Sequence, residues 1–202
     1  GLLDRTMTIA TIHPQLPGVG GVREGDRLDW LITDEKVFRR EVIPDPGDRR
    51  RGKKSTAEEV TAGIDLRGRT ALITGANSGL GYEAMRVLAM RGAHVLCAAR
   101  TLEKAAAACA GIQGRTTPVA IELTDFPSIV VGTDAVRAMG MPIDMLILNA
   151  GIMALPELEQ VNGLEKQFVT NHLGHFIVGN RLLPQVQAAP QGRVVVLTSS
   201  GY

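Results

Sequence analysis

The segment Thr74-Gly75-Ala76-Asn77-Ser78-Gly79-Leu80-Gly81 has glycines at a spacing suited to holding phosphate. A glycine at a strand exit lets the chain turn sharply, and one near a helix start lets the backbone approach a pyrophosphate. A third, inside the first helical turn, lets helix pack on strand. The unpaired N–H groups and the positive end of the helix dipole then face the phosphates. Glycines at a tight strand-to-helix turn can be purely structural. Here an apolar strand precedes the turn, a helix follows it and a second strand comes next, which favours the nucleotide reading and assigns ligand contacts to Gly75, Asn77, Ser78, Gly79, Leu80 and Gly81. At the end of the second strand, where such folds place an acid for ribose hydroxyls or a cation for a 2′-phosphate, the sequence reads Ala98-Ala99-Arg100. With a forked guanidinium and no carboxylate, the cofactor expected is NADP(H) rather than NAD(H). The plainer reading of Arg100 is that it flanks the next helix. His172 and His175, at i and i+3, lack a third ligand at a sensible position, so no metal is expected and both are read as helix-surface or interface histidines.

The elements that must position these residues follow from periodicity. Short apolar runs at Ala71 to Thr74, His94 to Ala99, Pro118 to Leu123, Met145 to Leu148 and Val194 to Thr198 suit strands buried on both faces. Between them, Leu80, Ala84, Val87 and Leu88 form one helical face stopped by Gly92, and Leu102 to Ala110 and Ser128 to Met139 read as helices. A longer helix is expected from about Gly163 to Val186, with Pro184 near its end. Alternating strands and helices joined by short connections imply an α/β, doubly wound parallel sheet of Rossmann-like type, with ligands at the carboxyl ends of its strands.

Composition agrees with this class. Hydrophobic residues make up 45% of the 202 and charged residues 21%, enough for a packed core, while aromatics at 3% leave the core to aliphatic residues. Six methionines, Met85, Met90, Met139, Met141, Met145 and Met153, read as gap-filling core or pocket-wall residues. The formal net charge of +1 gives no basic face for phosphate backbones, so no nucleic acid is expected as partner. Cys97 and Cys109 are too few and too isolated for a disulfide framework or a zinc site, which fits a reducing compartment. With neither a long apolar run nor a signal-peptide pattern, the expectation is no membrane span and a cytoplasmic chain. Residues 1–68 carry 24 of the 43 charges, so the core lies beyond them. In that first part a short strand is expected at Leu28 to Ile32 and a short helix at Asp34 to Val42. Arg49, Arg50, Arg51, Lys53 and Lys54 read as a solvated linker, and Ser55 with Glu58 reads as a capping box for a helix closed at Gly63. The division expected is residues 1–54 as an N-terminal extension and 55–202 as a partial NADP-binding domain.

The spacing G-x-x-x-G-x-G resembles that of the short-chain dehydrogenase/reductase family rather than the G-x-G-x-x-G fingerprint. Three further segments extend the resemblance. Leu148-Asn149-Ala150-Gly151 is similar to the family's Asn-Asn-Ala-Gly motif, with Leu148 in place of the first Asn. Asn171 in Thr170-Asn171-His172-Leu173-Gly174-His175-Phe176 is similar to the active-site helix Asn, and Val195-Val196-Leu197-Thr198-Ser199-Ser200 to the strand ending in the catalytic Ser. The stretch Ser55 to Gly81 and the Asn-His-Leu-Gly-His-Phe run resemble the retinol dehydrogenase-like branch. Residues 55–202 share the likeness, and 1–54 do not.

The resemblance implies interconversion of an alcohol with a ketone or aldehyde, on a small-molecule substrate of apolar character. Ser199 would bind the carbonyl oxygen, with Ser200 as the register alternative, and Asn171 would organise a proton-relay water. Asn171 could instead bond only within its own helix. Asn149, Ala150 and Gly151 would line the cofactor, and Glu122, followed by Leu123, stands at the family's adenine-binding Asp. The family's Tyr-x-x-x-Lys pair is absent: Tyr82 is followed four later by Arg86, and Tyr202 sits three residues past Ser199. The chain is therefore expected to be a fragment of an oxidoreductase, its sheet incomplete at the C-terminal edge with the fifth strand exposed, and itself inactive. The competing function is a regulatory protein that binds the dinucleotide without catalysis. A homo-oligomer is compatible with either.

Overall fold

The computed structural model describes residues 7–12 and 55–199; the strand, helix and basic cluster expected between residues 28 and 54 lie outside the described residues. Strand β1 (Met7–Ile12) and the one-turn helix α1 (Ala57–Val60) come first. Four strand-helix units follow: β2 (Thr70–Thr74) with α2 (Gly79–Met90), β3 (His94–Ala99) with α3 (Leu102–Ala110), β4 (Thr116–Ala120) with α4 (Phe126–Ala138), and β5 (Met145–Leu148), which leads into a longer helical region. Between β5 and that region lies a two-stranded hairpin, β6 (Gln160–Val161) and β7 (Leu164–Glu165). The helical region comprises α5 (Lys166–Phe168), a π turn (Val169–Leu173) and α6 (Gly174–Gln187), and β8 (Arg193–Ser199) completes the order.

The central sheet runs β1-β8-β5-β2-β3-β4. Its five strands from β4 to β8 are parallel, and β1 adds antiparallel to β8, pairing Met7 with Ser199 through Ile12 with Val194. The fifth strand is thus not exposed as expected: β1 lies along its outer side and takes up ladder groups that an edge would leave open. The reversal between β2 and β5 is the topological switch point where open α/β sheets bind ligands.

Strands that alternate apolar residues on both faces require two helical layers. Leu72, Leu96, Ala98, Val119, Leu146 and Leu148 pack with Ile129 and Val136 of α4 and Val178, Leu182 and Val186 of α6. Ala71, Ile73, Val95, Cys97 and Ala99 face the other way, onto Met85 and Ala89 of α2 and Ala105 and Ala108 of α3. Full burial of each large aliphatic side chain stabilises by roughly 1.5–3 kcal/mol. Small residues on α3 let that helix lie close to β3, where burial, reinforced by contact with Cys109, pushes the Cys97 thiol up to about 12. Both cysteines are free. Met85 is fully buried, as expected of a core methionine, whereas Met90, Met139 and Met153 are exposed. At the amino ends of the strands, Asp144 accepts from Arg69 Nη1 at 2.7 Å and from the Thr70 amide at 2.9 Å, pinning β5 beside β2.

Two local readings need correction. The cap of α1 is Thr56 with Glu59, one residue later than the expected Ser55 and Glu58: the Thr56 amide donates to Glu59 at 2.8 Å and the Glu59 amide to Thr56 Oγ1 at 3.2 Å. The long helix begins at Lys166 rather than Gly163. Asn162 and Gly163 have φ of 52° and 76°, the two positive values of a type I′ hairpin turn, so the Asn-Gly pair joins β6 to β7 instead of opening a helix. Glu165 then caps α5 by accepting from the amides of Gln167 at 2.7 Å and Phe168 at 2.6 Å.

Candidate functional site

Because the five strands are parallel, their carboxyl ends gather the residues picked from sequence along one edge of the sheet. At the end of β2, Gly75 N–H and Ala76 N–H both reach the Ala98 carbonyl of β3, at 2.8 and 3.3 Å, which turns the chain toward α2. Each glycine of the turn has its own constraint. A Cβ on Gly81 would stand 2.4 Å from the Gly75 carbonyl oxygen and 2.6 Å from Asn149 Nδ2, so α2 approaches the turn as closely as backbone allows. Gly79 has φ +57° and no atom within 4 Å of where its Cβ would be. The first demands glycine by contact. The second demands it by backbone conformation and leaves the space above the helix start clear. Ser78 is the N-cap of α2 but makes no side-chain capping bond, so the first amides of the helix are not taken by it. Asn77 is half-buried, and Ser78, Gly79 and Leu80 are exposed.

Arg100, just past β3, is exposed and has no carboxylate partner among the described residues. At the exit of β4, Glu122 Oε1 accepts from the Thr124 amide at 3.1 Å and the Thr124 hydroxyl at 2.9 Å, so one carboxylate oxygen is engaged in its own turn. The Leu123 side chain is buried in the core, where α6 closes on it: a Cβ on Gly174 would lie 2.6 Å from the Leu123 carbonyl oxygen. What Leu123 can offer a ligand is therefore its backbone.

Past β5, Asn149 Nδ2 donates to the Thr74 carbonyl at 3.0 Å, and the amides of Asn149 and Ala150 donate to Thr74 Oγ1 at 2.9 and 3.1 Å. These bonds fix the Asn149–Gly151 segment against the glycine turn. Asn171 lies in the π turn, where its side chain grips Ile152 twice: Oδ1 accepts from the amide at 2.9 Å and Nδ2 donates to the carbonyl at 2.7 Å. Asn171 thus bonds across to the segment after β5 and not merely within its own helix. π turns inside helices are frequent at functional sites. Ser199 is the last residue of β8, and its side chain is not described.

The two histidines diverge. His172 is exposed and stacks between Phe168 and Phe176, with ring centroids 5.3 and 6.5 Å away. His175 is not the surface histidine expected: it is 5% exposed, with Nε2 2.9 Å from Thr74 Oγ1 and Nδ1 3.1 Å from the Asn171 carbonyl oxygen. Burial holds its imidazole below the ordinary histidine range, the Asn171 bond opposes that, and His172 adds to it. Among the described residues no group of three or more His, Cys, Asp or Glu could hold a metal ion, and no helix is long and apolar enough to cross a membrane. Sequence reasoning missed Thr74, His175 and Gln167. The last of these holds Ala154, at φ 55°, by accepting from its amide at 3.0 Å.

A doubly wound sheet with this glycine turn at its switch point defines a dinucleotide-binding fold. The sequence profile of the short chain dehydrogenase family matches residues 69–201, and the chain belongs to that family. It is 40% identical over 161 residues to the chloroplastic short-chain dehydrogenase TIC 32 B of Brassica napus, covering 75% of this chain and 50% of that protein. Human retinol dehydrogenase 13 is 36% identical over 140 residues, covering 67% and 42%. Among solved structures, the 3-ketoacyl-(acyl-carrier-protein) reductase of Brucella melitensis, complexed with NADH, aligns with a TM-score of 0.54 at 26% identity over 61% of this chain and 52% of that one. The chain spans about half the length of the curated relatives it matches.

Proposed function

We propose that this chain is the dinucleotide-binding part of an NADP(H)-dependent short-chain oxidoreductase that interconverts an alcohol with a ketone or aldehyde. The observation that carries the reading is the clear space at Gly79 beside a helix start that Ser78 does not cap. A pyrophosphate would lie there, facing amides and the positive end of α2. Gly75, Asn77, Ser78, Gly79, Leu80 and Gly81 would hold the phosphates, Arg100 the 2′-phosphate, Glu122 and the Leu123 backbone the adenine, and Asn149, Ala150 and Gly151 the inner face. Bound there, the dinucleotide supplies or accepts the hydride. Ser199 donates to the oxygen on which charge develops, and Asn171 orients the water of a proton relay. No tyrosine followed four residues later by lysine occurs in the 202 residues, so we assign no proton source to this chain.

Residues 55–202 form the cofactor-holding unit in this reading, and 1–54 an extension that contributes β1 to its sheet. An apolar substrate is inferred from the likeness to retinol dehydrogenase 13. A cytoplasmic location is inferred from cysteine usage and sequence pattern alone, and two relatives are named chloroplastic. A regulatory protein that binds the dinucleotide without catalysis is the second reading, and turnover of an alcohol or carbonyl substrate by the full-length protein would exclude it.

Titration with NADPH and NADH tests the assignment. A charge-assisted fork between Arg100 and the 2′-phosphate is worth roughly 1.5–3 kcal/mol, or about ten- to a hundredfold in affinity. Arg100→Ala should weaken NADPH by that factor and leave NADH nearly unchanged. NADH binding as tight as NADPH in the parent chain would overturn the NADP(H) assignment.

A further inference from the structure

Thr74 Oγ1 lies within hydrogen-bond distance of three partners: the Asn149 amide at 2.9 Å, the Ala150 amide at 3.1 Å and His175 Nε2 at 2.9 Å. An amide N–H can only donate, so the two amides take both acceptor sites of the hydroxyl. Its single proton then has one place to go, His175 Nε2. That nitrogen is therefore the unprotonated one, and the ring proton sits on Nδ1, where it donates to the Asn171 carbonyl at 3.1 Å. The imidazole is neutral, and both its nitrogens are used. On the same carbonyl-bearing residue, the Asn171 side chain holds Ile152 at both its amide and its carbonyl. One buried ring thus joins the end of β2, the segment after β5 and the π turn.

We propose that His175 is a positioning residue of the dinucleotide site: as the neutral Nδ1–H tautomer it orders the Thr74 hydroxyl that holds the Asn149 and Ala150 amides, and it anchors the backbone carbonyl of Asn171. A charged ring would present a third donor to a hydroxyl with two acceptor sites, and one of the two amides would be released. The link to dinucleotide binding rests on the function proposed above; the tautomer and the order of the two amides do not.

The first experiment is NMR of the 202-residue chain labelled with ¹⁵N in its imidazoles, with the His175 signals assigned by their loss in His175→Gln. The expected result near neutral pH is a neutral ring protonated at Nδ1, and an Nε2–H tautomer or a charged ring would overturn the proposal. The second is hydrogen exchange of the Asn149 and Ala150 amides. His175→Leu and Thr74→Val should each speed exchange at both at least tenfold, with the double variant adding little to either, and unchanged exchange in both single variants would overturn it. The third is NADPH titration. His175→Leu should weaken binding about tenfold with helix content retained, whereas His175→Gln, whose amide oxygen can accept the Thr74 proton, should stay within about threefold. A merely space-filling His175 would give the opposite order, because leucine fills an apolar site better than glutamine. If the parent chain binds neither NADPH nor NADH, the proposed function falls, while the tautomer and exchange results still decide the role of His175.

Discussion

Replacing Gly79 by valine places a branched side chain at φ +57°, in clear space at the start of α2. The left-handed conformation costs an L residue roughly 1–2 kcal/mol, with a β-branched residue at the upper end. No atom stands within 4 Å of the new Cβ, so no collision adds to that cost. Gly79→Val should therefore lose about 2 kcal/mol of stability, keep its helix content, and lose dinucleotide binding by more than a hundredfold, because the side chain would occupy the approach proposed for the pyrophosphate. Gly81→Ala provides the contrast. Its Cβ would lie 2.4 Å from the Gly75 carbonyl oxygen, where ordinary contact begins at 3.4 Å, so the turn or the helix must move by about 1 Å. Overpacking of this kind costs roughly 1–3 kcal/mol, and the better helix propensity of alanine offsets about 1 kcal/mol of it. The movement also displaces Asn149, whose Nδ2 would be 2.6 Å from the new carbon. The two variants are compared by urea denaturation followed by far-ultraviolet circular dichroism, and by NADPH titration. Unchanged affinity in Gly79→Val would show that the pyrophosphate lies elsewhere. A Gly81→Ala chain with the parent's stability and affinity would show that the contact between α2 and the turn is slack.

Two further outcomes are expected. Stability should rise with pH up to about 6.5, because burial holds His175 and His94 below the ordinary histidine value, so the unfolded chain takes up protons in a range where the native chain does not. The slope is at most about 1.4 kcal/mol per pH unit for each histidine. Urea midpoints at pH 5, 6 and 7 measure it, and a flat profile would contradict the burial of neutral rings. In an assay of NADPH oxidation with apolar aldehydes and ketones, the 202-residue chain should show no appreciable turnover, since a positioned general acid contributes about 10² to 10⁴-fold. A version extended through a helix carrying a Tyr-x-x-x-Lys pair should turn over, and equal rates from the two would mean that Tyr202 completes the site.

The strands were readable from sequence because a parallel strand buried on both faces must be an unbroken apolar run, and His94–Ala99 and Met145–Leu148 have the bounds the sequence suggests. β4 runs Thr116–Ala120, beginning two residues and ending three residues earlier than expected, and carries Pro118 inside it. A proline is tolerated there because β4 is an edge strand. The error at Gly163 has a different origin. The reading of a helix from Gly163 passes over the Asn162-Gly163 pair, the strongest short-range hairpin signal a sequence carries. The pairing of β1 with β8 could not be read at all, since more than 180 residues separate partners whose match is only a register of backbone groups.

The site divides along the same line. Glycines at the turn announce themselves because a positive φ at Gly79 and a close approach at Gly81 disfavour other residues, and Arg100 stands out as a charge directly after an apolar strand. Thr74 and His175 carry no such mark. A threonine ending a strand and a histidine in an amphipathic helix are ordinary occupants of those positions, and 101 residues separate them in sequence. What gives them meaning is a count of donors and acceptors at one oxygen, which exists only after the sheet has brought Asn149, Ala150 and His175 to Thr74. The spacing of His172 and His175 suggested a shared environment. The helix instead turns one ring to the Phe168–Phe176 surface and the other into the core, where Nδ1 of the buried ring meets the Asn171 carbonyl of the π turn. Residues proposed to hold phosphate are thus legible as residue types, whereas the parts that hold the pieces in register are legible only as a closed set of hydrogen bonds.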